Sequence, residues 1–165
     1  MNREIFFRGK SIISNEWLYG NLIISEDNHF FIVPFDEIEE DGHHIRTKDN
    51  YCEGHYAVEP ETIGQYIGGK GFIDKENEHF TKGKSVEVKL FEGDIVESWS
   101  QGSKGTFMIK LRPDSSPMFI LYPAWQCGEM WSIHFSDVGR DKGDYYDDLR
   151  VMGNIYDNPE MLKNK

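Results

Sequence analysis

The chain has 165 residues, with 29 Asp and Glu against 18 Lys and Arg, a formal net charge of −11. Direct binding to nucleic acid or an anionic membrane rests on basic side chains neutralising phosphates, and this balance argues against both. Cys52 and Cys127 are the two cysteines, and no apolar run reaches the length of a signal segment or a membrane span, so the expectation is a cytosolic protein with reduced thiols.

A chain of this length buries about 70% of the surface its unfolded form exposes, enough for a core without staples. Aromatic residues make up 14% and glycine occurs 16 times, a mixture that favours short strands and frequent turns.

Residues 3–35 read as a small β-meander. Ile5 and Phe7 alternate with Glu4, Phe6 and Arg8, and two apolar runs, Trp17–Ile24 and Phe30–Phe35, flank the polar linker Ser25-Glu26-Asp27-Asn28-His29. That linker has hairpin length, and Pro34 fits a strand end or an edge. Residues 36–61 turn acidic, with Asp36, Glu37, Glu39, Glu40, Asp41, Asp49, Glu53, Glu59 and Glu61 opposed by Arg46 and Lys48. Such a stretch is expected to run over the surface. Thr62–Ile67 returns to an extended apolar pattern, after which Gly68, Gly69, Gly71 and Gly83 suggest a loop. The expected organisation is an N-terminal meander with its acidic segment over 1–68, a flexible loop or insertion over 69–88, and a β-rich unit over 89–165.

In that last unit Phe107, Ile109 and Leu111 alternate with polar or exposed neighbours, as do Trp131, Ile133 and Phe135, and Leu149, Val151 and Ile155. Period-two alternation predicts strands with one buried face. With Asp94–Trp99 and Met118–Tyr122 these make five strands, the pattern of a small barrel or folded sheet. Gly93-Asp94 is predicted to make the turn that launches the first, with Ile95 and Trp99 facing inward. Asn158, Pro159 and Glu160 read as the cap and first turn of a short terminal helix.

Four constellations bear on chemistry. His43, His44, Cys52 and His55 include a Cys-x-x-His spacing suited to zinc, but no second such pair lies nearby and an acidic loop with histidines is usually solvated. Gly83-Lys84-Ser85 and Gly68-Gly69-Lys70-Gly71 echo phosphate loops, yet position 78 is Glu where a P-loop needs Gly. Glu92 with Asp94, and Asp147-Asp148 beside Tyr145-Tyr146, are carboxylate pairs that turns commonly carry. Tyr122-Pro123-Ala124-Trp125, followed by Trp131, either fills a barrel or forms a recognition surface. No catalytic residue, cofactor or metal is assigned. The candidate binding surface comprises Trp125, Tyr122, Asp41, His43 and His44.

Four stretches resemble the YopX family of bacteriophage and prophage proteins. They are Arg3-Glu4-Ile5-Phe6-Phe7-Arg8, then Glu40-Asp41-Gly42-His43-His44-Ile45-Arg46 with Val58-Glu59-Pro60-Glu61-Thr62-Ile63-Gly64-Gln65-Tyr66-Ile67-Gly68, then Leu90-Phe91-Glu92-Gly93-Asp94-Ile95-Val96, and finally Val151-Met152-Gly153-Asn154-Ile155-Tyr156-Asp157-Asn158-Pro159-Glu160-Met161-Leu162. They span nearly the whole chain in the family's order, although Thr is usual where Ile67 stands. The passage Gly69–Leu90 is longer than the family's, with His79–Val88 reading as an insertion. The resemblance implies an SH3-like barrel in the C-terminal half and carries no activity, cofactor or catalytic residue. The expected function is that of a non-enzymatic phage accessory protein in the host cytoplasm, binding a host or phage protein or copies of itself. The alternatives are a nucleic-acid-associated role, direct or by mimicry, and a metal-dependent enzyme.

Overall fold

A computed structural model describes residues 4–34, 56–74, 85–100, 103–112, 118–126, 129–132 and 149–162. The described chain is mainly β, with ten strands, and divides into two compact units at Tyr66 and Ile67.

The first unit is built on an antiparallel meander of β1 (Phe7–Lys10), β2 (Trp17–Ile24) and β3 (Phe30–Pro34). Its two turns are specified by local polar groups. The Ser11 hydroxyl accepts the backbone N–H groups of Ile13 and Ser14 at 3.2 and 3.3 Å, and Asn15 takes a left-handed φ of 61° that Asn tolerates well. In the expected hairpin at 25–29, Ser25 accepts the His29 N–H at 3.0 Å and Asn28 has φ 59°. Pro34 closes β3 opposite Gly20, so its missing N–H falls at a strand end. Ile32, Val33 and Val58 are buried, and Phe6 stacks on Tyr66 with ring centroids 4.6 Å apart. Pro60–Thr62 form a 3-10 turn, so the extended run that follows starts at Gly64. The first residues of β4 (Gly64–Asp74) pair with β1.

In the second unit the remainder of β4 is followed by β5 (Ser85–Phe91), β6 (Asp94–Ser100), β7 (Ser103–Leu111), β8 (Phe119–Gln126), β9 (Glu129–Ser132) and β10 (Arg150–Asn154). The order is β4-β10-β6-β7-β8-β9, with β5 on β4. β10 lies parallel to β4 and antiparallel to β6. Ile67, Leu90, Val96, Ile109, Leu121 and Leu149 form one core, with Phe107, Phe119 and Val151 packed against it. The alternation read at 107–111 places Phe107 and Ile109 on this face, as the period-two rule requires.

Three expectations change. Barrel closure needs pairing between the two ends of the sheet, and among the described pairings the sheet is open. The stretch 69–88 begins and ends in strand, in β4 and β5, while 75–84 lie outside the described residues. Its glycines misled because Gly71 serves close packing: a Cβ there would sit 2.6 Å from the Leu149 carbonyl oxygen. The terminal helix is a four-residue 3-10 turn, Pro159–Leu162. The Asn158 carboxamide oxygen accepts the N–H of Asn154 at 3.4 Å, pointing back along the chain.

Inward facing is also redistributed in β6. Val96 pairs with Phe107 and enters the core, whereas Ile95 pairs with Met108 on the opposite face and is fully buried there. The Trp99 side chain lies outside the described ones. The alternation expected through Val151 and Ile155 is broken by a bulge, where Met152 is the extra residue between Val151 and Gly153.

Candidate functional site

The motif-bearing stretches converge in the second unit. Phe91 ends β5, and Glu92-Gly93 turn the chain into β6 with Gly93 at φ 86°, a left-handed conformation that glycine adopts without strain. The Asp94 carboxylate, 3% exposed, folds back to accept the Phe91 N–H at 2.8 Å, which closes the turn. Glu92 accepts the N–H of Leu111 at 3.2 Å, and the Gly93 N–H donates to Ile109 at 2.8 Å.

Against this turn sits a second one. The Asn154 side-chain oxygen accepts the N–H groups of Tyr156 and Asp157 at 3.0 and 2.9 Å, an Asx turn, and its amide donates to the Asp157 carboxylate at 2.8 Å. The Ile155 N–H donates to the Gly93 carbonyl at 2.9 Å, and Asn154 pairs with Asp94 in the β10–β6 register. Each of these carboxylates and carboxamides therefore works as a turn or strand-end acceptor. Chemically the cluster ties the ends of β6, β7 and β10 together. The Glu92 and Asp94 pair, weighed above for acid–base work, is spent this way.

The first unit uses its own motif residues similarly. Thr62 accepts the Lys10 N–H at 2.9 Å while its hydroxyl donates to the Glu59 carbonyl at 2.7 Å. The guanidinium of Arg8, buried, lies 4.8 Å from the Trp17 ring centroid.

Of the candidate binding surface, Tyr122 is described with its side chain. Residues directly opposite in paired strands share a face, so Gly153, Ile95, Met108 and Tyr122 form one row across β10, β6, β7 and β8. Tyr122 ends that row 41% exposed, with the Lys110 ammonium 5.1 Å from its ring centroid. An exposed cation over an aromatic face contributes about 0.5–1 kcal/mol. Reading by sequence missed Lys110, because only the β7–β8 register brings it to Tyr122. Trp125 lies on β8 opposite Met130, beyond a register shift that separates it from the row of Tyr122, and its side chain is outside the described ones.

Asp41, His43, His44, Cys52 and His55, with Tyr145, Tyr146, Asp147 and Asp148, lie outside the described residues. Among the described residues no group of His, Cys, Asp and Glu is arranged to hold a metal. The glycine–lysine echo at 68–71 is extended strand, with Lys70 ion-paired to Glu87. No helix among the described residues is long and apolar enough to cross a membrane.

A family model described as YopX protein matches residues 6–163, nearly the whole chain. No curated protein and no solved structure matches it.

Proposed function

We propose, on the premise that this chain belongs to the YopX family, that it is a non-enzymatic binding module, an accessory protein of a phage or prophage acting in the host cytoplasm. One observation carries the reading. The motif residues described are committed to turns and strand ends, while Tyr122 and Lys110 stand exposed on a sheet face with no structural task that would hold them there. An aromatic ring backed by a cation is the kind of pair that anchors a protein partner. The acidic balance of the chain favours a protein, or a further copy of itself, over free nucleic acid.

The finer fold reading belongs with this proposal. The run β10-β6-β7-β8-β9 of short antiparallel strands supports an SH3-like barrel, whose closing pairing would come from residues outside those described. Small barrels bind through loops and exposed faces, although fold alone assigns no partner.

The test is affinity capture from host lysate with the tagged chain, its Tyr122→Ala variant and its Lys110→Glu variant, each with and without nuclease. A nuclease-resistant protein retained by the parent and lost with both variants supports the reading. Capture that nuclease abolishes, or that neither variant changes, overturns it.

A further inference from the structure

We infer that β5 is the contact strand of a two-fold dimer, in which the β5 strands of two copies pair antiparallel about Val88. This names the partner of the proposed binding module as a second copy of the chain, and it rests on that reading only in so far as the chain is a binder at all.

The geometry starts from the sheet order. β4 pairs with β10 and β5, and β6 with β10 and β7, whereas among the described pairings β5 pairs with β4 alone. It is thus a sheet edge, and its backbone donors and acceptors on the outer side are a template for another strand. The other described edges fit a partner less well. β3 is bridged on its outer side by 56–58, where the Ile32 N–H donates to Tyr56 and the Val58 N–H to Phe30. β9 has four residues, Glu129–Ser132, whose sequence has no opposite charges to match across an axis.

The sequence of β5 does have them. It reads Ser85-Val86-Glu87-Val88-Lys89-Leu90-Phe91. An antiparallel pairing centred on Val88 sets Val88 against itself, Glu87 against Lys89 of the second copy, Lys89 against its Glu87, and Val86 against its Leu90. Each dimer then holds two opposite-charge pairs directly across the strands, the arrangement that stabilises sheet registers. Glu87, Lys89 and Val86 are exposed, and Val86 at 39% would lose apolar surface to water on pairing. Glu87 already meets Lys70 of its own chain on β4, so the pairing extends an existing charge ladder across the axis. A parallel or shifted pairing sets like charges or apolar and charged side chains opposite one another. The register is therefore specified by charge.

Charge reversal tests this directly, with sedimentation equilibrium measuring association and circular dichroism confirming that each variant is folded. The parent is expected to dimerise. Glu87→Lys alone and Lys89→Glu alone each place like charges at both crossings, and either is expected to raise the dissociation constant about tenfold or more. The double variant E87K/K89E restores the opposite pairs and is expected to recover dimerisation. In a Cys52→Ser, Cys127→Ser background, Val88→Cys is expected to give a disulfide-linked dimer under mild oxidation, and Val86→Cys is not. A parent that stays monomeric overturns the inference, as does a dimer that both single reversals leave intact, or one that the double variant fails to restore. None of these results touches the capture experiment, whose variants lie on β7 and β8.

Discussion

The Ile155 amide donates to the Gly93 carbonyl at 2.9 Å, joining two turns that lie far apart in sequence. Gly93 is left-handed there, and a Cβ on it would stand 3.0 Å from Cε2 of Tyr156. Gly93→Ala therefore meets both backbone strain and a ring, and is expected to cost about 1–3 kcal/mol. Gly68→Ala is the control, since Gly68 has φ 89° but nothing within 4 Å of a Cβ. Urea denaturation should show the larger loss for Gly93, and equal losses would remove the role given to Tyr156.

Gly71 presents the steric problem without the backbone one. The atom a Cβ would strike is the Leu149 carbonyl oxygen, which accepts the Phe72 N–H at 2.9 Å. Backbone cannot yield as a side-chain tip does. Gly71→Ala is expected to cost about 1–3 kcal/mol and to raise amide exchange at Phe72 and in β10 before β7 or β8 responds. Uniform exchange across these strands would contradict it.

Asp94 is needed as an acceptor. Replacing it with Ala leaves the Phe91 N–H without that bond in a buried turn, a loss of about 1–3 kcal/mol. Asp94→Asn keeps a side-chain oxygen and should recover part of this in thermal melts. If Ala and Asn behave alike, the hydrogen bond contributes nothing.

Leu90 is fully buried in the core cluster although it lies on an edge strand. Leu90→Ala should cost about 2–5 kcal/mol, against less than about 0.5 kcal/mol for Tyr122→Ala on the exposed face. Comparable denaturation midpoints for the two would mean that the core is not where these contacts put it.

What could be read from the sequence was whatever depends on near neighbours. The run Trp17–Ile24, the turn at 25–29 and the alternation through Ile109 each follow from spacing or turn chemistry within a few residues. Gly71 could not be read, because glycine for flexibility and glycine for close approach look the same until the Leu149 backbone is in place. The face taken by Ile95 was misjudged for a related reason: both Ile95 and Val96 are buried, and only the register with Met108 and Phe107 separates them. Tyr122 was singled out as an aromatic at a bend, whereas its partner Lys110 needed the β7–β8 register. The family resemblance was legible because its turn motifs are local in sequence, and it now stands over residues 6–163.

The place of β10 has a consequence for how the chain is made. It is the last of the described strands in sequence, yet it sits between β4 and β6 in the second unit, bonded to one through Phe72 and to the other through its whole length. Until Leu149–Asn154 have left the ribosome, β4 and β6 have no strand to join them, and Leu149 is missing from the core that Ile67 and Val96 share. The sheet is therefore completed from its middle and late, after its outer hairpins are available. A nascent chain stalled before residue 149 should hold β6, β7 and β8 as a hairpin array and leave Ile67 accessible to protease or chaperone.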